Sequence, residues 1–125
     1  MSSCLMVGMV MLSLATPEFR LEWQHSVEHV IWRESWAIQD DRLVLQQAAV
    51  KGSGAGMDPG PDAVLRDEWW VWAPQLPPQP GLFLAASGAT DGGWSICDGD
   101  ECHEFGAAEG KPIHLRPCIS QSPPQ

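Results

Sequence analysis

Residues 23–36 read WQHSVEHVIWRESW, and within them His25, Ser26, Glu28 and Glu34 stand between three tryptophans. Serine, histidine and a carboxylate are the parts of a nucleophilic triad, and a histidine with a carboxylate can act alone as an acid–base pair. The local periodicity decides between these chemistries. Phe19, Leu21 and Trp23 alternate with Arg20, Glu22 and Gln24, which is the period of two of a β-strand. Neighbouring side chains on a strand point to opposite faces, so His25 and Ser26 diverge. A nucleophile needs its base within about 3 Å, and the triad is therefore disfavoured.

A four-residue loop at 28–31 would place Val27 opposite Trp32, Ser26 opposite Arg33 and His25 opposite Glu34. His25 and Glu34 would then share a face with Phe19, Leu21, Trp23, Trp32 and Trp36. An imidazole opposite a carboxylate satisfies both groups in an apolar setting, where an unpaired charge costs several kcal/mol. Such a pair fixes hairpin register, orients a ligand between tryptophan walls, or transfers protons. The first of these is the favoured reading.

Two further stretches carry chemistry-bearing residues. GSGAGM (52–57) resembles a phosphate cradle, but no Lys-Ser/Thr follows, and Asp58-Pro59-Gly60-Pro61 forbids an immediate helix. A turn or a close backbone approach is the better expectation. CDGDEC (97–102) sets Cys97 opposite Cys102, where a disulfide closes if the Cβ atoms lie about 3.8 Å apart. Cys118 competes as a partner, and with Cys4 the four cysteines allow three full pairings. Cys97, Cys102, His114 and Cys118 are also four zinc ligands in type, though their spacing fits no common zinc module. Disulfides or buried thiols are favoured over metal, and no cofactor is expected.

The elements that must position these residues are strands. QDDR (39–42) is a turn between strands, LVLQQAAV (43–50) is the third strand of a meander, and VLRDEWWVWAP (64–74) reads as one short aromatic strand. In WWVW (69–72) the expectation is core packing with one exposed ring. PQLPPQP (74–80) is an extended connection, followed by strands at 81–87 and 112–118 and a hairpin at 94–105. Helical periodicity is absent. The expectation is one all-β domain over 1–118, an antiparallel sandwich or small barrel, with a disordered tail at 119–125.

The apolar run CLMVGMVMLSLA (4–15) is short of the roughly 20 residues that span a bilayer. Neither Lys nor Arg precedes it, so a buried first strand is expected rather than a cleaved leader. The 125 residues carry 7 Lys plus Arg against 16 Asp plus Glu, for a net charge of −9. An acidic chain without a basic stripe is a poor match for nucleic acid or an anionic membrane surface, and it leaves a neutral or cationic partner open. Hydrophobic residues at 44 % and charged residues at 18 % mark a globular chain.

FRLEWQHSVEHVIWRESW, GSGAGM and PDAVLRDEWWVW together resemble the domain of unknown function 1850 family, over about Cys4 to Cys118. The features that carry the likeness are the HSVE tetrapeptide (His25 to Glu28), Glu34, the Gly54-Ala55-Gly56 segment and the cysteine-bearing end, WSICDGDECHEF to HLRPC. Glu68 departs from the pattern, which leads one to expect a small residue there. The resemblance implies no established activity. It implies a small bacterial companion of TAXI-type tripartite ATP-independent periplasmic (TRAP) transporters, on the periplasmic side or membrane-associated, with transporter subunits and a small molecule as partners. The combined expectation is a non-enzymatic accessory or ligand-binding protein. The alternatives are a small His25/Glu34 acid–base enzyme and a Cys/His metal-binding domain.

Overall fold

The computed structural model describes residues 3–24, 31–51, 62–85, 93–106 and 110–118. The apolar run near the N-terminus is divided at Gly8, whose φ of +63° suits a residue without a side chain, into β1 (Ser3–Val7) and β2 (Val10–Leu14). The meander follows as β3 (Glu18–Gln24), β4 (Ile31–Gln39) and β5 (Arg42–Lys51). Then come β6 (Val64–Arg66), β7 (Trp69–Trp72), β8 (Leu82–Leu84), β9 (Trp94–Asp98), β10 (Glu101–Phe105) and β11 (Ile113–Pro117). They form two antiparallel sheets, one of four strands in the order β2-β1-β11-β8 and one of seven in the order β10-β9-β3-β4-β5-β7-β6. The architecture is the expected sandwich; the sheets do not close into a barrel.

Alternation supplies the core. Leu5, Val7, Leu14, Leu84 and Leu115 of the small sheet meet Phe19, Leu21, Trp36, Leu43, Leu45 and Ile96 of the large one. In β5 the inward apolar residues change parity, from Leu43 and Leu45 to Ala48 and Val50. A bulge makes this work: Ser35 pairs with Gln47 and Trp36 with Leu45, so Gln46 is the extra residue. The connection after β7 reaches the small sheet past β5, where Gln79 and Leu43 exchange backbone hydrogen bonds of 2.7 and 2.8 Å. Cys4 and Cys118 form a disulfide that ties β1 to the end of β11, with the Cα atoms 5.5 Å apart.

Residues 64–74 are two strands, not one. Asp67 and Glu68 take φ of +49° and +73° and turn the chain back between β6 and β7, just as Asp40 and Asp41 (+51° and +61°) do between β4 and β5. A two-residue hairpin with both φ positive matches the strand twist and favours Asn-Gly or Asp-Gly. Asp67-Glu68 hides that signal, because Glu68 occupies the glycine position. A side chain there works against the left-handed conformation by about 1–2 kcal/mol, of which part is offset by glycine's greater freedom when unfolded. Glu68→Gly is therefore expected to raise the unfolding free energy by about 1 kcal/mol, read as a higher urea midpoint at unchanged slope. A midpoint at or below wild type would contradict this turn.

Candidate functional site

Cross-strand register brings the tryptophans together. Trp23 lies opposite Trp32 on one side and Trp94 on the other, because 3.4 Å strand rise and direct pairing stack side chains of one face into rows. Trp23 is 4.8 Å from Trp94 and 6.1 Å from Trp32, with the latter rings nearly parallel, and Trp72 meets Trp32 edge-on at 6.2 Å. The Trp94 indole N–H donates to the Ala85 carbonyl at 2.8 Å, fixing that ring between the sheets. Trp70 and Trp72 share this inner face, while Trp69 and Val71 point outward.

Glu34 sits on the same inner face, between Leu21 of β3 and Ala48 of β5. It borders a groove of about 350 Å³ between the sheets, walled chiefly by Leu21, Trp23, Trp36, Leu82, Leu84 and Trp94. Its Oε1 accepts a hydrogen bond of 3.0 Å from the indole Nε1 of Trp36, the one donor that a buried tryptophan must satisfy. Burial pushes the Glu34 carboxyl above the ordinary glutamate range; the Trp36 hydrogen bond opposes this and does not cancel it. A half-buried carboxyl with a raised pKa, facing an apolar groove, is a recurrent mark of a binding or acid–base site.

This shift fixes a pH dependence. Folded Glu34 keeps its proton to higher pH than unfolded Glu34, so in that window the folded state binds more protons, and stability falls as pH rises through it. Glu34→Gln keeps an acceptor for Trp36 and removes the charge. The variant should melt above wild type at about pH 7–8, with the difference closing near pH 3, where an ordinary glutamate is protonated. Equal melting temperatures across this range would show that Glu34 ionises without penalty.

A larger hollow of about 480 Å³ lies beside Glu18, Phe19, Arg20, Trp36 and Asp98, and two of its charged groups are engaged in holding the strands. Asp98 accepts from the Ala15 backbone N–H at 2.8 Å, and Arg20 donates to Glu22 and to the Gly99 carbonyl. These contacts hold the strands in place.

The expected pairing of His25 with Glu34 is corrected. Leu21 stands opposite Glu34, and Trp32 pairs with Trp23 in place of Val27, a shift of four residues. Stacking of two tryptophans selects this register, and an even slip keeps every side chain on its expected face. The shared face of Phe19, Leu21, Trp23, Trp32, Glu34 and Trp36 therefore stands as read. His25, Ser26, Glu28, Gly54, Ala55 and Gly56 lie outside the described residues. The strand ends that lead to them, Gln24, Ile31 and Lys51, are neighbours in one cross-strand row beside the tryptophans.

The cysteines are distributed as two bonds. Cys97 and Cys102 pair across the β9–β10 hairpin with Cα atoms 4.0 Å apart, around a turn whose first residue, Gly99, has φ of +65°. Cys118 bonds to Cys4. The zinc alternative is thereby corrected: Cys97 and Cys102 belong to the large sheet, and His114 stacks on Phe83 of the small sheet, its ring 4.4 Å away. The four candidate ligands are not brought together.

The groove walls contributed by Trp94, Leu82, Leu84 and Leu76 were not singled out in the sequence. Alternation in WSICD does place Trp94 and Ile96 on one face, which was the available signal. Leu76 lies in the aperiodic proline-rich connection, where no pattern marks it.

The fold and groove define a class: an antiparallel β-sandwich whose inner face carries a carboxyl at a tryptophan-walled opening. The family model described as Domain of unknown function (DUF1850) matches residues 19–105, and the chain belongs to that family. The matched span runs from β3 through β10 and leaves β1, β2 and β11 outside it. No curated protein and no solved structure matches the chain.

Proposed function

We propose that this protein is a non-enzymatic ligand-binding accessory whose site is the groove at Glu34. The observation that carries this reading is a carboxyl held at the mouth of an apolar, tryptophan-walled cavity at the expense of its own ionisation. The ligand that fits such a site has an apolar body and a donor group, an ammonium or a hydroxyl, that reaches Glu34. Tryptophan faces attract cations, and a chain of net charge −9 steers them in. His25, Ser26, Glu28 and the Gly54-Ala55-Gly56 segment belong to this proposal as neighbours in sequence of the strand ends beside the tryptophan row.

Membership of the family supports a further step, that the protein serves a TAXI-type TRAP transporter. Two disulfides suit an oxidising compartment such as the periplasm. Among the described residues no helix is long and apolar enough to cross a membrane. Affinity purification of the tagged protein from its native cell tests the association. Recovery of transporter subunits supports it, and their absence under mild detergent, with the bait intact, contradicts it.

The raised pKa of Glu34 favours one second reading, in which Glu34 and His25 exchange protons with a substrate. His25→Ala separates the two. Loss of an activity with an unchanged melting temperature supports an enzyme, and weakened ligand binding, with no turnover of the ligand by wild type, supports the accessory.

A further inference from the structure

The outer face of the large sheet holds a second constellation, independent of the Glu34 groove. Seven lysines and arginines are spread over 125 residues, yet Arg33, Lys51 and Arg66 converge on Trp69. Lys51, Trp69 and Arg66 occupy one cross-strand row, and Arg33 reaches over from β4. The Arg33 guanidinium lies 4.2 Å from the Trp69 ring centroid and the Lys51 ammonium 5.8 Å from it. Arg33 is also gripped from behind, its Nε donating to Glu22 Oε2 at 3.2 Å, so its fork is oriented before any ligand arrives. Beside it lies a depression of about 160 Å³, floored by the small residues Ser35 and Ala49 and edged by Arg33, Gln47, Arg66, Asp67 and Trp69.

We propose that this depression binds a small oxyanion, a carboxylate or phosphoryl group of a small molecule. The donors are of the right kind: two guanidinium groups, an amide and a hydroxyl. Three cations, Arg66 at the rim and Arg33 and Lys51 at the Trp69 ring, gather here against Asp67 on the edge of the depression and Glu22, which is already paired with Arg20 and Arg33. Trp69 holds both cations at its face and shields one side of the depression from water, which strengthens a charge-assisted hydrogen bond formed there. A volume of 160 Å³ admits a group of a few heavy atoms and excludes a bulky ligand.

Calorimetric titration of the whole protein with inorganic phosphate and with succinate, at about 20 mM salt where surface charges are least screened, tests this. The expected result is saturable binding of at least one, weakened by added salt. Arg66 is exposed on a three-residue strand, so Arg66→Gln should leave the melting temperature unchanged. Because charge-assisted hydrogen bonds are the strong ones, it should weaken binding about tenfold. Trp69→Phe should retain weaker binding. Preference for phosphate or for succinate identifies the headgroup. Absence of saturable heat with both, or binding that Arg66→Gln leaves unaltered, overturns the proposal.

Discussion

Replacing Cys4 and Cys118 together by alanine should lower the unfolding free energy by about 5 kcal/mol, the largest effect expected in this molecule. The bond closes a span of 114 residues, nearly the whole chain, so its loss returns the greatest amount of loop entropy to the unfolded state. The Cys97–Cys102 bond spans only 5 residues, and on the same scaling its removal should cost about 2 kcal/mol. Domains have about 5–15 kcal/mol of net stability, so the first loss leaves the fold marginal and the second does not. Because β1 and β11 are also joined by a backbone hydrogen bond of 3.1 Å from Cys118 to Cys4, the native ends remain positioned in the variant. Urea unfolding of the two double variants checks the ordering. A larger loss from the short bond than from the long one would show that native packing, rather than chain entropy, sets their contributions.

Leu21→Ala should cost about 3 kcal/mol, within the range for a large-to-small change in a packed core. Leu21 is 2 % exposed and sits at the crossing of three strands, opposite Glu34 on β4 and Ile96 on β9. Its side chain also walls the groove, so truncation removes buried apolar contact and widens the opening beside the carboxyl. Glu34 should then be better hydrated, and its pKa should move back towards that of an ordinary glutamate. Chemical denaturation measures the first effect and a carboxyl-selective NMR titration the second. A change below about 1 kcal/mol would mean that the site collapses onto the space left behind.

The parts of the fold legible in the sequence are those governed by alternation. Phe19, Leu21 and Trp23, together with Trp32, Glu34 and Trp36, declare a shared face, and the structure uses that face as the floor of the groove. The Cys97–Cys102 hairpin follows from an Asp-Gly turn signal and direct pairing. Register was less legible, because period two fixes the face and leaves even slips degenerate; the contact of Trp23 with Trp32 breaks that degeneracy and is a three-dimensional fact. The turn at Asp67-Glu68 was hidden because the residue in the left-handed conformation is not glycine. The outer cluster around Trp69 was hidden for another reason. Arg33, Lys51 and Arg66 lie on three different strands and come together only when β4, β5, β7 and β6 align side by side.

A carboxyl opens onto the apolar groove on one side of the large sheet, and cations gather around a tryptophan on the other. Burial disfavours the ionised form of Glu34 relative to the neutral one, so its charge costs stability, and groups that trade stability in this way are frequent at binding sites. Calorimetric titration of wild type and Glu34→Gln with n-hexylammonium tests that claim most directly. The ligand pairs an apolar tail with a donor cation, and the substitution removes the charge while keeping the hydrogen bond to Trp36. Saturable binding by wild type, weakened about tenfold or more in Glu34→Gln, is predicted. Binding that is absent in wild type, or equal in the two proteins, would contradict a ligand site at Glu34.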